Sequence, residues 1–446
     1  MKKKYSFSIF GISFLMVSAV AIYGARFASK NGINLNEFIV NNLLNVGTTQ
    51  LQDEKQDSTE NTLGGTSYIQ PQTAKRAIRT STGYEGLSTD IERKCYNLIK
   101  SNASKILNTE KKPGLYSIQS FTVTGGRLTP AQIKKVLYAV QNDNPDIFWI
   151  ASSFSYCYSG NRTILKLTSM FSPSEQQKAL KQLNNKVNSI ISQAPANASE
   201  YELELFFHDY IVKNCKYQNV NTLKVQNMKI FTCYGCLVEN AAVCEGMAKS
   251  MQLLLNSVGI RCGTVVGSRG TEPHMWNIVK INNHWYHLDV TWDTGGEFQK
   301  YNYFNLTDEM IKKDHKINEQ LKKTTAFNDN IRYNFEIPAC NSTEYNYYEK
   351  NALKIRNFNS DTNNQIVRTL ISSAKSKNEY FYIKFDKNIS LTAAKNDLLI
   401  RQPYRFFTCI KKANQSLDIN HKINDSQVKY SGNSFQNVLI IKLSYK

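Results

Sequence analysis

The sequence lacks a clustered run of basic residues, although its 55 Lys and Arg outnumber its 36 Asp and Glu and give a formal net charge of +19. It also lacks a basic stripe interleaved with aromatic residues and any nucleic-acid-binding motif, so we expect no nucleic-acid partner. The positive charge is spread along the chain and produces a diffuse field. Anionic cell-wall or membrane surfaces suit such a field, and a solvated lysine-rich surface without a specific partner is the alternative.

Sequence motifs with the spacing of metal ligands are also rare. Cys233 and Cys236 form a C-x-x-C pair, but no second C-x-x-C and no H-x-x-x-H accompanies it. A redox pair or half of a zinc site is one interpretation of these two residues, yet we predict no metal and no other cofactor. Nine cysteines permit up to four disulfides in an exported chain, and the odd number hints at a free nucleophilic thiol.

The first thirty residues, 1–30, form a predicted signal peptide or membrane anchor. Three lysines, Lys2 to Lys4, precede an uncharged stretch of 21 residues, Tyr5–Ala25, which is long enough to span a hydrocarbon core. No A-x-A site precedes Arg26, which favours a retained anchor over a cleaved peptide. The positive-inside rule then places the rest of the chain outside the membrane, and a buried core helix is the alternative.

Composition divides the remainder of the chain. The stretch 50–66 is polar and nearly free of apolar residues, so 31–80 is predicted to be a flexible linker. With 41% hydrophobic residues, 25 Tyr and 22 Phe, most of the chain should fold. We predict an N-terminal α/β region at 81–172, a central core domain at 173–330 and a small α+β domain at 331–446. We find no internal repeat.

Capping residues and hydrophobic periodicity predict the local elements. Thr129 and Pro130 begin one helix, and Ser199 with Glu202 forms a capping box at the start of another. The remaining predictions are helices over 90–106, 174–192, 363–376 and 391–400, and strands over 150–167, 380–385 and 437–445.

Cys244 precedes apolar residues that recur at helical spacing up to Gly259, so it is predicted to begin a helix. Unpaired backbone N–H groups and the positive end of the helix dipole favour a thiolate there. The Cys244 N–H would also point toward a developing oxyanion. A buried structural cysteine is the alternative.

A predicted hairpin supplies a histidine and an acid. Two β-rich stretches, 275–281 and 284–291, are joined by Asn282-Asn283, a favourable two-residue turn. Counting outward pairs 276 with 289 and 274 with 291, which places His274 and Asp289 on a cross-strand diagonal within hydrogen-bonding reach. The neighbouring His284 and His287 do not fit this diagonal. A surface ion pair is the alternative for His274 and Asp289.

A thiol nucleophile needs these groups, because an imidazole takes its proton and an acid orients the ring. We therefore predict Cys244, His274 and Asp289 as the catalytic residues. The three blocks that hold them, VCEGMAKSMQLLLNSVGI, HMWNIV and WYHLDVTWD, resemble the bacterial transglutaminase-like superfamily. Flanking blocks extend the resemblance from Tyr84 to His315. Met247 and Met275 stand where the family has an aromatic residue and an alanine.

The resemblance implies an α+β, transglutaminase-like (papain-like) core, in which the cysteine helix packs on an antiparallel sheet that carries the histidine and the aspartate. It also implies a thioester-forming acyltransferase or peptidase that acts on proteins or peptides at the cell surface, outside the cell or anchored to its membrane. Tyr234, which precedes the helix, is a candidate oxyanion donor or a packing residue. A catalytically idle binding or scaffold protein with the same fold is the alternative function.

Overall fold

The computed structural model describes residues 8–11, 81–218, 225–317 and 337–446. The predicted linker, most of the predicted targeting segment and the predicted boundary between 330 and 331 lie outside the described residues. The chain divides into two compact units. The first holds the residues up to Trp285 together with Asp289–Thr291 and Lys312–Ala339, and the second holds Tyr286–Leu288, Trp292–Ile311 and Cys340–Lys446.

The first unit opens with a six-stranded antiparallel sheet. Its strands follow the order β1-β5-β6-β3-β2, and β4 also pairs with β6. Alternating burial along β6 places one face of that strand in the core, as its sequence alternation predicts. The strands are β1 (Ser8–Gly11), β2 (Ile106–Lys112), β3 (Leu115–Ile118), β4 (Phe121–Thr124), β5 (Ile150–Tyr158) and β6 (Arg162–Ser169).

Seven helices of the first unit lie among the described residues, and capping explains where several of them begin. Thr129 and Ser199 each accept the third backbone N–H of the following helix, and Gln132 and Glu202 complete the two capping boxes. The predicted helix over 90–106 ends earlier, because a strand begins at Ile106. The helices are α1 (Thr82–Glu85), α2 (Asp90–Asn102), α3 (Pro130–Asp143), α4 (Pro173–Ser192), α5 (Glu200–Asn214), α6 (Cys233–Leu237) and α7 (Cys244–Ser257), with a 3₁₀ segment at Val225–Phe231.

Helix α7 packs against a second antiparallel sheet. Every residue of α7 except Lys249 is buried. The Asn277 amide joins the two layers, since it donates to the carbonyls of Ala248 in the helix at 2.9 Å and Gly263 in the sheet at 3.1 Å. The strand order is β11-β10-β9-β12. The strands are β9 (Cys262–Arg269), β10 (Glu272–Ile281), β11 (His284–Leu288) and β12 (His315–Ile317), and a short parallel pair joins β7 (Lys216–Tyr217) to β8 (Ala241–Ala242).

The predicted hairpin forms, but its second strand is shorter than predicted. Asn282 and Asn283 have φ values of 43° and 73°, as a tight two-residue turn between twisted strands requires. Strand β11 ends at Leu288, and Val290–Asp293 is a short helix, α8. The predicted strand over 284–291 and the pairing of 274 with 291 are therefore wrong. The reason is local, because the Asp289 carboxylate accepts the Thr291 N–H at 3.0 Å and starts a helical turn.

The second unit contains a four-stranded mixed sheet in the order β13-β14-β16-β15, in which only β13 and β14 run parallel among the described pairs. The predicted helix over 363–376 and strand over 380–385 are confirmed, whereas β15 and α13 were not predicted. The strands are β13 (Leu353–Ile355), β14 (Tyr380–Phe385), β15 (Lys429–Asn433) and β16 (Val438–Lys442). The helices are α9 (Asp308–Ile311), α10 (Tyr347–Asn351), α11 (Thr362–Lys375), α12 (Leu391–Lys395) followed by a π-helical turn at Asn396–Ile400, and α13 (Arg405–Gln415).

The α+β class and the packing of the cysteine helix on an antiparallel sheet are confirmed. The two units do not share the boundaries of the predicted domains. Residues 81–172 lie in the same unit as the residues that follow them, and residues 286–288 and 292–311 lie in the second unit, with the C-terminal residues. Among the described residues, no helix is both long enough and apolar enough to cross a bilayer.

Candidate active site

Cys244 is the first residue of α7 and follows the extended residue Val243. Its side chain is 6% exposed and lies in a small apolar cluster with Ala248, Val266 and Met275. The first N–H groups of a helix have no intrahelical acceptor, so the sulfur lies beside unpaired backbone donors. Sequence alone predicts this placement correctly.

A glycine in the first turn lets the chain approach the helix start. A Cβ atom built on Gly246 would lie 2.4 Å from the carbonyl oxygen of Ile230, at the end of the 3₁₀ segment. That distance is too short for any side chain without a shift of the backbone. Gly246 therefore allows the segment before α6 to pack directly against the residues that follow Cys244.

His274, on β10, connects the thiol to the acid. Its Nε2 donates to Oδ2 of Asp289 at 2.6 Å, and the ring also hydrogen-bonds the sulfur of Cys244. The imidazole stacks on Trp276 with ring centroids 5.9 Å apart, which fixes the plane of the ring. The structure thus brings together all three residues predicted from the sequence, and all three are buried.

Asp289 is fully buried, and both oxygens of its carboxylate accept hydrogen bonds. Besides His274, its donors are the Thr291 backbone N–H on Oδ1 at 3.0 Å and His315 Nε2 on Oδ2 at 3.0 Å. Burial alone would raise the pKa of this carboxyl, but the charges and hydrogen bonds of His274 and His315 hold it far below its ordinary value. Asp289 is therefore a carboxylate at neutral pH.

His315 was not predicted as a site residue. It begins β12, which pairs with β9 so that His315 lies opposite Arg269. Its Nδ1 faces Oδ1 of Asp314 at 2.6 Å, and Oδ2 of Asp314 binds Arg269 at 3.0 Å. The ring also meets Trp276 edge to face, with centroids 5.0 Å apart. Its only signal in the sequence is the position of the Asp314-His315 dipeptide at the end of the resembling region.

The electrostatics of His274 are dominated by two opposing effects. Burial lowers the pKa of the imidazole, but the Asp289 carboxylate and, to a smaller extent, Cys244 raise it, and the net result is a pKa of about 10. The ring therefore carries a proton at neutral pH. The protonated imidazole lies beside the Cys244 sulfur, which is the position that a histidine partner of a cysteine nucleophile occupies.

The same geometry offers possible metal donors. One ligand atom each from His274, Asp289 and His315 lies within 4.8 Å of the others. The hydrogen bonds from both rings to Asp289 account for this convergence, and His274 is also bonded to Cys244. Hydrogen bonds among these side chains, and from His315 to Asp314, thus account for the cluster.

Comparison with known protein families finds one match to the region that contains these residues. Residues 186–290 match the family model described as the transglutaminase-like superfamily, and this span contains Cys244, His274 and Asp289. Residues 186–290 are thus similar to the transglutaminase-like superfamily. No curated protein matches the sequence.

Three solved structures are each similar to part of this chain. The first, a TGase, is 14% identical, covers 39% of this chain and 50% of its own, and has a TM-score of 0.24. A proposed protease from Parabacteroides distasonis is 11% identical. The match covers 30% of this chain and 34% of the protease, with a TM-score of 0.20. A proposed cysteine protease from Cytophaga hutchinsonii is 12% identical. The match covers 42% of this chain and 70% of the protease, with a TM-score of 0.21. The chain thus spans half the length of the TGase.

Tyr234, the candidate oxyanion donor predicted from the sequence, lies in α6. Its hydroxyl donates to Gln182 of α4 at 3.0 Å. Its ring stacks on Phe148, with centroids 5.1 Å apart, and meets Phe171 edge to face. These contacts favour the packing interpretation of Tyr234, because its hydroxyl already has an acceptor.

The C-x-x-C pair also lies in α6, where both thiols are buried. Cys233 donates to the carbonyl of Pro145 at 3.1 Å. Burial raises the pKa of Cys236 well above its ordinary value, and a hydrogen bond with the Cys215 thiol raises it further. All nine cysteines lie among the described residues, and the structure records no disulfide between them. Cys233 and Cys236 are therefore protonated, poorly nucleophilic groups in this structure.

Proposed function

We propose that the chain is a thiol-dependent acyl-transfer enzyme that acts on carboxamide or peptide carbonyl groups. The observation that supports this most strongly is the continuous set of hydrogen bonds from Cys244 through His274 to Asp289. Cys244 is the nucleophile, His274 transfers the proton, and Asp289 orients the ring and stabilises its charged form. His315 acts as a positioning residue that holds Asp289 from its other side.

The first half of the reaction forms a thioester. The sulfur of Cys244 bonds to the carbonyl carbon, and the Cys244 backbone N–H donates to the oxyanion that develops. Collapse of this intermediate breaks the carbon–nitrogen bond, and the proton of His274 passes to the departing amine. The acyl group remains on the sulfur.

The second half of the reaction transfers the acyl group. An amine or a water molecule attacks the thioester carbon and gives a proton to His274, and the carbon–sulfur bond breaks to restore the thiolate. The amine route crosslinks or modifies a protein, whereas the water route hydrolyses an amide or peptide bond. The same intermediate serves both routes, so the acceptor is left to experiment.

We place the enzyme outside the cell, secreted or anchored by its N-terminal segment. The support is the sequence of three lysines followed by the 21 uncharged residues Tyr5–Ala25. Protein or peptide substrates at the cell surface follow from this location. The net charge of +19 would favour an anionic wall or membrane surface nearby.

Competitive alkylation of the purified full chain tests the nucleophile. Peptide mass spectrometry after limited iodoacetamide treatment should show Cys244 modified before every other cysteine. Cys95 is the internal reference, because burial in α2 raises its pKa to about 12 and keeps it a thiol. Equal and slow labelling of Cys244 and Cys95 would contradict the proposal.

A peptide library then tests the activity, with and without an added primary amine. Product masses distinguish transfer to the amine from hydrolysis. We expect the Cys244→Ala chain to form neither product, and the Cys95→Ala chain to retain both. If Cys244→Ala leaves the products unchanged, the idle scaffold becomes the better account.

A further inference from the structure

A second cluster of metal-binding side chains lies in the C-terminal unit and has no part in the thiol chemistry. His287 is on β11, Asp308 is the first residue of α9, and Cys340 follows further along the chain. One ligand atom from each lies within 4.8 Å of the other two. His287 Nε2 and Asp308 Oδ1 are 2.9 Å apart.

Backbone hydrogen bonds hold these three residues in place. His287 and Leu306 exchange two backbone hydrogen bonds, of 2.9 and 2.8 Å, which fix the strand of His287 beside the segment that leads to Asp308. The Asp308 N–H donates to the Cys340 carbonyl at 2.8 Å, and the Cys340 N–H donates to Asp308 Oδ2 at 3.3 Å. Three chain segments are therefore joined before any ion binds.

The donor set and its burial favour one kind of ion. An imidazole nitrogen, a carboxylate oxygen and a thiolate sulfur are the three ligand types that zinc accepts together, whereas magnesium and calcium prefer oxygen alone. His287 and Cys340 are fully buried, and the Asp308 side chain is 27% exposed. The exposed edge of Asp308 gives an ion and a fourth ligand access from solvent.

We propose that His287, Asp308 and Cys340 bind a zinc ion, with a water molecule or an external ligand as its fourth partner. Binding replaces the proton of the Cys340 thiol, which passes to solvent, and places the ion between the His287 ring and the Asp308 carboxylate. The ion would fasten three segments that are distant in sequence. The proposal does not depend on the acyl-transfer activity.

Metal analysis of the full-length chain tests this site. After dialysis against zinc and removal of the excess, we expect about one zinc ion per chain. Cys340→Ser should weaken zinc binding by about 100-fold or more, because loss of a direct ligand exceeds the ~10- to 100-fold effect of an outer partner. Cys409→Ser, which changes another buried thiol of the same unit, should retain the ion.

A second variant distinguishes loss of a zinc ligand from misfolding of the chain. Asp308→Asn keeps an oxygen for the Cys340 N–H but loses the negative charge, so it should fold and still lose most of its zinc. Cobalt provides a direct readout, since a cysteine ligand gives a sulfur-to-cobalt charge-transfer band that Cys409→Ser should keep and Cys340→Ser should lose.

The active-site cluster is the competing location for an ion. His315→Gln removes a donor from that cluster and leaves His287, Asp308 and Cys340 unchanged, so it should bind zinc as the unmodified chain does. The proposal is overturned if the unmodified chain retains no zinc, if zinc is lost with His315→Gln, or if both Cys340→Ser and Asp308→Asn keep it.

Discussion

His315 donates to the same oxygen of Asp289 that accepts from His274, at 3.0 Å and 2.6 Å respectively. The other nitrogen of His315 faces the Asp314 carboxylate at 2.6 Å. The His315 ring therefore lies between the carboxylates of Asp289 and Asp314, and the rings of His274 and His315 meet at one oxygen of Asp289. The carboxylate is thereby held in one orientation toward the ring that contacts Cys244.

His315→Gln should therefore slow acyl transfer without abolishing it. A hydrogen bond to a charged group contributes about 1.5–3 kcal/mol, and its loss in the transition state corresponds to about 10- to 100-fold in kcat. We expect KM to remain unchanged, because His315 does not touch the substrate. Steady-state kinetics on the best library peptide measures both values.

The matched control for this prediction is His421→Gln, which removes a histidine bonded to Asp418 in the other unit. It should leave both kinetic constants unchanged. A His315→Gln enzyme with normal kcat would show that Asp289 needs no second imidazole.

Asp289→Asn should cause a much larger loss. The amide cannot stabilise the imidazolium and can favour the wrong ring tautomer, which costs about 10⁴-fold in kcat in the analogous serine triad. Asp209→Asn, which alters the acceptor of His208 at 3.1 Å elsewhere in the same unit, is the control and should remain active. Activity of Asp289→Asn within tenfold of the unmodified enzyme, about 1.4 kcal/mol, would argue against a triad.

Much of the site could be predicted because its signals are local. Cys244 begins a helix whose apolar periodicity is visible in the sequence, and Asn282-Asn283 marks the hairpin that carries His274. His315 could not be predicted in this way. It reaches Asp289 through a three-residue strand that pairs with β9, and such a long-range pairing leaves no periodic pattern.

The end of strand β11 illustrates a different limit. Alternating apolar residues continue through Tyr286 and Leu288 to Val290, and the β-branched Thr291 follows, so the period of two predicts a longer strand. The buried Asp289 carboxylate overrides this preference, since it accepts the Thr291 N–H and turns the chain into α8. The hydrogen bond between His274 and Asp289 forms even though the predicted strand register does not continue to these residues.

The raised pKa of His274 predicts a pH-dependent stability. A folded pKa of about 10 lies above the ordinary value of about 6.5, so protonation of His274 favours the folded chain. This contribution is fully present below about pH 6.5 and is lost as the pH rises toward about 10. Urea unfolding across this range should show a declining stability that is less steep in His274→Gln. Identical slopes in the two chains would contradict the assigned direction.

Gly246→Ala should destabilise the first unit, although alanine is normally the better helix residue by about 1 kcal/mol. The added Cβ would lie 2.4 Å from the Ile230 carbonyl oxygen. The backbone shift that removes such a clash lowers the stability of the folded state by about 1–3 kcal/mol. Urea denaturation should show a lower unfolding midpoint. An unchanged or higher midpoint would mean that the segment before α6 moves freely away from the helix start.

The central claim is that Cys244 carries the acyl group as a thioester. Acid quenching during turnover of the best library peptide, followed by intact and peptide-level mass spectrometry, tests this directly. We predict an adduct with the mass of the acyl fragment on Cys244, which hydroxylamine removes and which Cys244→Ala does not form. Continued turnover in Cys244→Ala, or an acyl adduct confined to another residue, would contradict the claim.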